Sequence, residues 1–203
     1  MSKITRIEEQ KKKKNRVNIY IDGKFSLGLY KDTLIKYHLY EGKDITQSEI
    51  SQIKNHEILA EAKEKARNYL SYRIRSKKEV SDYLYRKQVN KDVIHRVISD
   101  FDNAGLLDDR EFALMWVKDR SSRNPKGNFV LRQELKNKGI SDLDIESALR
   151  DIDERENALK AAAKAIKKFQ DKNKIMAYLV QRGFPHYLSK EVIEEIIEES
   201  HES

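Results

Sequence analysis

The stretch ALMWVKDR at residues 113–120 has a close counterpart in ARNYLSYR at residues 66–73 and a looser one in AAKAIKKF at residues 162–169. Each stretch begins with alanine, has an aromatic or small residue at its fourth position and an aliphatic residue at its fifth. This spacing of apolar residues is typical of one face of a helix. We therefore interpret the three stretches as the first helices of three related units.

A second pattern follows each of these stretches. LYRKQV begins at Leu84, LKNKGI at Leu135 and LVQRGF at Leu179, and these three leucines lie 51 and 44 residues apart. Each interval has room for about three helices of ordinary length. Self-similarity at such a period indicates a repeat architecture. A chain of this kind more often presents a long binding surface than one catalytic pocket.

The composition limits the class of protein. The 203-residue chain has 37% charged residues and a mean hydropathy of −0.81, so each unit is expected to depend on its neighbours for stability. The sequence contains no apolar run near the roughly 18 residues that span a bilayer, and no signal-peptide pattern. Cysteine is absent, which excludes disulfides and thiolate chemistry. We expect a cytoplasmic protein with no membrane partner.

Positive charge is distributed unevenly along the chain. The net charge is +7, and residues 1–16, 67–87 and 118–138 each carry seven Lys or Arg against two acids. Residues 189–203 reverse this balance, with six Glu and one Lys. A basic body suits a polyanionic partner. The alternative is that each cluster only keeps its helix solvated, although clusters at equivalent places in two repeats favour binding.

A β-hairpin is predicted near the start of the chain. Apolar and polar residues alternate around Asp22-Gly23, a strong hairpin signal. A two-residue turn would place Ile21 opposite a lysine and mix the two faces. A three-residue loop would instead align Ile19 with Leu27, so the sequence leaves the register open.

The hairpin belongs to a basic N-terminal head, residues 1–57. Residues 4–7 suit a third strand of its sheet. Helices are expected at residues 31–40 and 48–55, and the second of them follows a possible capping box that begins at Thr46.

From residue 58 onward the apolar spacing is helical, and we divide this part of the chain into three three-helix repeats. The repeats are 58–107, 108–152 and 153–203. Their helices are predicted near 58–73, 77–87 and 91–103 in the first repeat, 109–121, 128–138 and 142–151 in the second, and 154–170, 173–182 and 188–199 in the third.

Polar residues and glycines mark the ends of these helices. Ser76 opens a helix with a capping-box sequence, and Asp109 and Ser141 are predicted N-caps. Gly139 and Gly183 are predicted to end their helices in the left-handed conformation. Gln88 stands at the equivalent place in the first repeat, where a positive φ would cost a little under ~1 kcal/mol.

Each repeat has the outline of a helix-turn-helix, with a short turn before its last helix. The functional interpretation is DNA binding by that helix, and the structural alternative is a plain three-helix bundle. The last helix of the second repeat, DLDIESALRD at residues 142–151, is acidic on its exposed face. Because phosphates repel such a face, the sequence favours another use of the scaffold over operator recognition.

Signals of enzyme chemistry are sparse. The seven glycines form no phosphate-binding loop or dinucleotide fingerprint, and the five histidines show no paired spacing. Asp108 and Asp109 could hold a hard cation, but their place before an apolar helix favours capping. Trp116 matches Tyr69 and Ala165 in the repeat pattern, which favours a core role over a stacking platform. We expect a protein without catalytic activity, cofactor or metal.

Three motifs resemble the RecX family of recombination regulators, which modulate the RecA recombinase. They are YLSYRIRSKKEV at residues 69–80, GLLDDREFALMWV at 105–117 and GNFVLRQELKNKGI at 127–140. The resemblance covers roughly residues 58–150, and the head resembles the longer members from low-GC Gram-positive bacteria. The third repeat departs from the pattern, because Phe169 stands where the other two repeats have arginine.

The resemblance implies a mainly α fold of tandem three-helix repeats forming an elongated, curved array behind a small head that contains a β-hairpin. Such a protein would bind, as a monomer, in the groove or at the end of a RecA–single-stranded-DNA filament. It would inhibit the recombinase without catalysing a reaction. Single-stranded and also double-stranded DNA are further implied partners. Weak contacts with successive subunits would add through effective concentration.

Basic residues of the head and of two repeats are the predicted contacts with the filament and with DNA. For each of them the alternative is a solvated charge or a surface ion pair. The lysine run at residues 11–14 has no regular pattern and is expected to be a mobile phosphate-binding arm. The predicted contact residues are Lys11, Lys12, Lys13 and Lys14 in the head, Arg73, Arg75, Lys77, Lys78, Arg86 and Lys87 in the first repeat, and Lys118, Arg120, Arg123, Lys126, Arg132, Lys136 and Lys138 in the second.

Two other classes of function stay open at this point. One is a transcription regulator that uses tandem helix-turn-helix units to recognise a duplex sequence. The other is a hydrolase of nucleic acid that uses the Asp108-Asp109 pair. Selective binding to one duplex would support the first, and Mg²⁺-dependent cleavage would support the second.

Overall fold

The fold is described here from a computed structural model, which covers residues 2–201, with the side chains of residues 199–201 outside that description. The last residues of the predicted acidic tail therefore lie outside the described residues. The elements are β1 (Ser2–Gln10), β2 (Lys13–Ile21), β3 (Lys24–Tyr30), α1 (Lys31–Lys36), β4 (Asp44–Ile45), α2 (Gln47–Leu70), α3 (Lys77–Arg86), α4 (Lys91–Asn103), α5 (Asp109–Arg123), α6 (Asn128–Asn137), α7 (Asp142–Leu149), α8 (Glu154–Ile166), α9 (Lys172–Gln181) and α10 (His186–His201).

The chain is mainly α-helical with a small N-terminal sheet, as the sequence predicts. Helices α2–α4, α5–α7 and α8–α10 correspond to the three predicted repeats. The backbone groups into two compact units, Met1–Tyr72 with Tyr83–Asp100, and Arg73–Asp82 with Phe101–Ser203. The finer division into a head and three repeats stays a prediction.

The sheet of the head is antiparallel, with strand order β3-β2-β1-β4. Its hairpin combines the two registers that the sequence left open. Asp22 and Gly23 form a two-residue turn with positive φ at both positions, 48° and 76°, as a type I′ turn requires. A register shift next to Ile19 then restores the pairing of Ile19 with Leu27. This irregularity returns the apolar side chains to one face, because one residue of slip reverses a strand's faces.

The lysine run at residues 11–14 was wrongly predicted to be a mobile arm. Lys11 and Lys12 form the turn between β1 and β2, and Lys13 and Lys14 begin β2. The predicted strand at residues 4–7 is confirmed as part of β1, which pairs with β2. Since β1 and β2 pair from Ile4 opposite Ile21 to Gln10 opposite Lys13, the lysines are held at the end of a hairpin.

One continuous helix, α2, replaces the two helices predicted at residues 48–55 and 58–73. The predicted capping box at Thr46 is confirmed, with Glu49 completing it. The interruption was predicted wrongly because Glu57 breaks the apolar pattern, although its side chain is buried. Its carboxylate forms an ion pair with the buried Arg16 at 3.3 Å and accepts a hydrogen bond from Thr33 at 2.9 Å.

The predicted helix at residues 31–40 is also shorter than expected. Helix α1 ends at Lys36, and His38 has a positive φ of 47°. A residue in the left-handed conformation cannot continue a right-handed helix, so the chain turns away before Tyr40.

The predicted glycine turns at the ends of second helices are confirmed. Gly139 and Gly183 have φ angles of 79° and 89°, and Gln88 adopts 59° at the equivalent position. The predicted N-cap Ser141 is confirmed, with its hydroxyl accepting from the Asp144 amide at 3.2 Å. The sequence thus located the helix ends through the residue types that tolerate unusual backbone conformations.

The N-cap of α5 is Asp108 and not Asp109. Asp108 accepts hydrogen bonds from the amides of Arg110 and Glu111 at 2.8 and 3.0 Å. Asp109 instead accepts the main-chain amide of Lys77, the first residue of α3, at 2.8 Å. Burial raises the pKa of Asp109, and the Lys77 amide acts against that rise. Both acids of the candidate catalytic pair therefore satisfy helix N-termini.

Within the second compact unit, α3 and α6 meet end to end. The Ser76 hydroxyl, at the start of α3, donates to the carbonyl of Lys138 at the end of α6 over 2.8 Å. The Lys77 amide binds Asp109, the first residue of the second repeat's first helix. The positive end of one helix dipole thus contacts the negative end of another.

The same joint recurs between α6 and α9. The Gly127 amide, at the start of α6, donates to the carbonyl of Arg182 over 3.0 Å. The amide of Asn128, the first residue of α6, donates to Glu154, the first residue of α8, over 2.7 Å. The joint between the first and second repeats and the joint between the second and third repeats therefore follow the same pattern. The first amide of a second helix binds a carboxylate of the next repeat.

Candidate functional site

Glu79 lies between two of the predicted contact residues. Its carboxylate accepts a two-pronged interaction from Arg73, at 2.9 and 3.0 Å, and a hydrogen bond from Lys138 at 2.6 Å. Burial alone would raise the pKa of Glu79, but the hydrogen bonds from Arg73 and Lys138 lower it to about 2. The Glu79 amide donates to the Ser76 hydroxyl at 3.2 Å, as the predicted helix start at Ser76 requires, while the Glu79 carboxylate binds Arg73 and Lys138.

Glu134 holds a second set of predicted contact residues. It accepts hydrogen bonds from the Nε1–H of Trp116 at 2.9 Å, from Arg120 at 3.1 Å and from Lys126. Burial would raise the pKa of Glu134, but the hydrogen bonds from Lys126, Arg120 and Trp116 lower it below its ordinary value. Glu134 is therefore an anion that fixes three side chains at once.

The ring of Trp116 links the two carboxylates. The Trp116 ring stacks on Phe112 with ring centroids 5.7 Å apart. The Arg120 guanidinium lies 4.3 Å from the centroid of the Trp116 ring, and the Lys138 ammonium lies 5.0 Å from it. The side chain is half-buried and packs against the core of the second repeat. The sequence predicted a core role, and the structure adds a cation-binding face.

Together these residues form one continuous polar group on the second compact unit. Four cations surround two carboxylates, so the group carries excess positive charge. We call it the Trp116 cluster: Arg73, Glu79, Trp116, Arg120, Lys126, Glu134 and Lys138.

In the other two repeats, the cation that corresponds to Lys138 also lies over an aromatic ring, but that ring belongs to the second helix of the repeat. In the first repeat Tyr69 and Tyr83 stack with centroids 4.1 Å apart, and the Lys87 ammonium lies 5.7 Å from the Tyr83 ring. In the third repeat the Arg182 guanidinium lies 4.4 Å from the Tyr178 ring. Lys87, Lys138 and Arg182 share one position in the repeat pattern, whereas Tyr83 and Tyr178 correspond to Glu134 and not to Trp116. A cation beside a ring therefore recurs in each repeat, although the ring does not come from the same helix.

Five of the remaining predicted cations form ion pairs at the surface, and such pairs contribute little to stability. Lys87 and Lys118 are exposed and form no ion pair with a described residue. Arg75 is half-buried and Arg86 is exposed. Lys11–Lys14, Arg86 and Lys87 belong to the first compact unit and the others to the second. The surface pairs are Lys77–Asp102, Lys78–Asp82, Arg123–Asp119, Arg132–Glu146 and Lys136–Asp142.

The carboxylates Glu79 and Glu134 were not predicted as site residues. Their signal in the sequence is faint, because each is one acid within a basic segment. Only the fold shows that Arg73 and Lys138, 65 positions apart in the sequence, share Glu79. Four exposed lysines of the third repeat, at positions 167, 168, 172 and 174, are not among the predicted contact residues, since that repeat departs from the family pattern.

A pH-dependent contribution of Glu79 to stability is expected. Because its folded pKa is lowered from 4.5 to about 2, its stabilisation is present above pH 4.5 and is lost as the pH falls toward 2. Glu79→Gln should lower the free energy of unfolding at pH 7 by about 2 kcal/mol, after allowance for the solvent exposure of its partners. Urea unfolding should show that the difference between the two proteins shrinks as the pH is lowered from 5 to 3. A difference that stays constant over this range would contradict the assignment.

The described residues hold no group of three or more His, Asp or Glu side chains placed to bind a metal ion. Within the same part of the chain, no helix is long and apolar enough to cross a membrane.

Family models match most of the chain. The Regulatory protein RecX N-terminal domain matches residues 2–46, the first three-helix domain of RecX matches 62–101, and its second three-helix domain matches 108–149. The second of these segments contains Glu79 and the third contains Trp116 and Glu134.

Individual proteins and solved structures agree with these matches. The chain is 38% identical to the regulatory protein RecX of Bacillus licheniformis, covering 91% of this chain and 73% of that protein. It is 32% identical to the RecX protein of Listeria monocytogenes, covering 93% and 73%. A crystal structure of regulatory protein RecX superposes with a TM-score of 0.77 at 27% identity, covering 96% of this chain and all of that one. RecX from Lactobacillus salivarius gives a TM-score of 0.60 at 29% identity, covering 68% and 96%. The chain therefore belongs to the RecX family of regulatory proteins.

Proposed function

We propose that this protein binds the RecA–single-stranded-DNA filament, in its groove or at its end, and inhibits the recombinase without catalysing a reaction. It acts as a monomer in the cytoplasm. Direct contact with single-stranded and double-stranded DNA assists this binding. Membership of the RecX family of regulators supports the assignment, and the Trp116 cluster is the observation that carries it.

The Trp116 cluster has the chemistry of a binding hot spot. Tryptophan and arginine dominate the energetics of protein interfaces when they are half-buried and held in place. Here Glu134 fixes both Trp116 and Arg120, so little rotamer entropy remains to be lost on binding. The excess of cations over carboxylates suits an acidic groove and the phosphates within it.

Recurrence of the aromatic–cation arrangement supports contact with a polymer. A helical filament presents the same surface at each subunit, and a repeat protein presents similar groups at intervals. Several weak contacts then combine through effective concentration. This argument does not require any single contact to be strong.

The helix-turn-helix alternative is less well supported. The last helix of the second repeat, α7, places Asp142 3.0 Å from Lys136 and Glu146 2.8 Å from Arg132. Its acids thus neutralise the basic helix α6, and α7 itself would repel a DNA backbone. Equal affinity for unrelated duplexes would remove this alternative. The nuclease alternative would be removed if the pure protein showed no Mg²⁺-dependent cleavage of nucleic acid.

Neutralising two exposed lysines should weaken binding to the filament without disturbing the fold. Lys87 and Lys118 form no ion pair with a described residue, so Lys87→Gln with Lys118→Gln breaks no internal salt bridge. We expect affinity to fall roughly tenfold and the salt dependence to become shallower. The measurement is binding of labelled protein to filaments held by a non-hydrolysable ATP analogue.

A matched control is available in the third repeat. Lys160→Gln with Lys190→Gln removes the same charge from lysines already paired with Glu156 and Glu194. This control should bind nearly as the wild type does. Equal affinities of the two double variants would show that Lys87 and Lys118 lie outside the interface.

A further inference from the structure

The third repeat carries a dense group of unneutralised lysines just after α8 and in the first turn of α9. Lys167, Lys168, Lys172 and Lys174 fall within eight residues, and all four are exposed. None of the four forms an ion pair with another described residue, in contrast to most cations of the second repeat. One carboxylate, Asp171, lies among them, and it caps α9 by accepting the Asn173 amide at 2.7 Å. A strong local excess of positive charge therefore remains.

Three of these four lysines line an open cleft of about 590 Å³, which Asp171 also lines, and Lys172 lies next to Asp171 in the sequence. Its walls include Lys167, Lys168 and Lys174 together with the ring of Phe169. We call it the third-repeat cleft. Its volume is ample for one nucleotide, and its lining combines ammonium groups with an aromatic surface.

Helix stability does not account for all four charges. Lys167 and Lys168 follow the last residue of α8, where a helix dipole favours cations. Lys172 and Lys174 lie in the first turn of α9, where the dipole disfavours them, and that turn contains no acid. Positive charge at this end costs stability, and a bound anion would reverse the cost.

The other two repeats show what the start of a second helix binds in this fold. The first amide of α3 binds the carboxylate of Asp109, and the first amide of α6 binds that of Glu154. The corresponding amide in the third repeat belongs to Lys172, and it makes no hydrogen bond among the described residues. An oxyanion is thus bound at this position twice in the chain, and the third position is open and surrounded by lysines.

Phe169 gives the cleft an aromatic surface, which the binding of a simple inorganic anion would not require. It is half-buried against the core of the third repeat, 6.0 Å from Tyr178 between ring centroids. The Lys168 ammonium lies 5.2 Å from its ring. Aromatic rings beside cations are the usual platform for unstacked bases of single strands, and duplex bases are not accessible in this way.

We propose that the third-repeat cleft and the adjoining start of α9 bind single-stranded nucleic acid. Lys167, Lys168 and Lys174 hold phosphates at the cleft, Lys172 and its amide hold a phosphate beside it, and a base stacks on Phe169. Bare strand is the ligand, so the site operates without the recombinase. This site would extend the proposed binding surface to the third repeat, in which the family pattern is weakest.

Anisotropy of a labelled 15-nucleotide oligothymidine, measured over a series of salt concentrations without recombinase, tests the charges. Lys172→Gln with Lys174→Gln should weaken binding about tenfold and reduce the log–log salt slope by about 0.7 for each phosphate that the variant no longer neutralises. The control Lys160→Gln with Lys190→Gln removes the same charge from paired lysines and should leave affinity and slope nearly unchanged. Equal effects of the two double variants would overturn the proposal, whatever the protein does to recombinase filaments.

An abasic strand of the same length tests the ring. The wild type should bind oligothymidine about tenfold more tightly than the abasic strand, because the abasic strand offers no base to stack. Phe169→Leu should remove that preference while leaving affinity for the abasic strand intact, and circular dichroism should show that both proteins are folded. Equal affinity of the wild type for the two strands would overturn the proposal. So would displacement of either strand by polyglutamate of equal charge, because both results indicate a surface that binds any anion.

Discussion

Replacing Gly127 with alanine should lower the melting temperature by roughly 10 °C, an effect of about 3 kcal/mol on the free energy of unfolding. A Cβ atom at this position would lie 2.1 Å from the carbonyl oxygen of Gly183 and 2.3 Å from its carbon. The obstructing atoms are main chain, so no side chain can move aside. The joint between α6 and α9, including the hydrogen bond from Gly127 to Arg182, would have to open.

Gly105→Ala provides the comparison for this variant. Gly105 has a φ of 67° and nothing within 4 Å of an added Cβ, so alanine there costs only the backbone strain of roughly 1 kcal/mol. Thermal unfolding followed by circular dichroism measures both variants. If Gly127→Ala melts no lower than Gly105→Ala, the joint between the repeats is looser than the described contacts indicate.

Replacing Trp116 with alanine should raise the concentration needed for half-inhibition of RecA roughly thirtyfold, the effect expected for a hot-spot residue. The substitution removes the ring on which Arg120 and Lys138 lie. It also removes the Nε1–H donor to Glu134. The cations would then be free to adopt many conformations, and binding would have to restore their order.

Trp116→Phe separates the ring from its hydrogen bond. Phenylalanine keeps an aromatic face for the two cations but cannot donate to Glu134, so inhibition should weaken less than about fivefold. Both variants are measured by inhibition of RecA ATPase at a temperature where circular dichroism shows them folded. A folded Trp116→Ala protein that inhibits at wild-type concentrations would remove the Trp116 cluster from the interface.

The fold was largely predictable because its signals are local. Residue types that tolerate positive φ, such as Gly139 and Gly183, mark helix ends wherever they fall. The failure at α2 has the opposite origin. Glu57 is charged and therefore interrupts the apolar pattern, but Arg16, far away in the sequence, makes its burial possible. No local pattern contains that information.

The candidate site was predicted less completely, for the same reason. Arg73, Arg120, Lys126 and Lys138 were predicted contacts with the filament or DNA, with a surface ion pair as the alternative, and the fold gives each of them an internal carboxylate. Counting charges along the chain shows an excess of cations but not which anions share them. The contact role of these residues stays a prediction, and the aromatic ring that organises them emerged only from the three-dimensional arrangement.

Decay of ATP hydrolysis by preformed RecA filaments, after addition of the wild-type protein, tests the central claim most directly. If the protein binds the filament and inhibits the recombinase, hydrolysis should fall in proportion to the protein added and reach a floor, with no chemical change in DNA or nucleotide beyond RecA's own reaction. Hydrolysis that continues undiminished at equimolar protein would contradict the account.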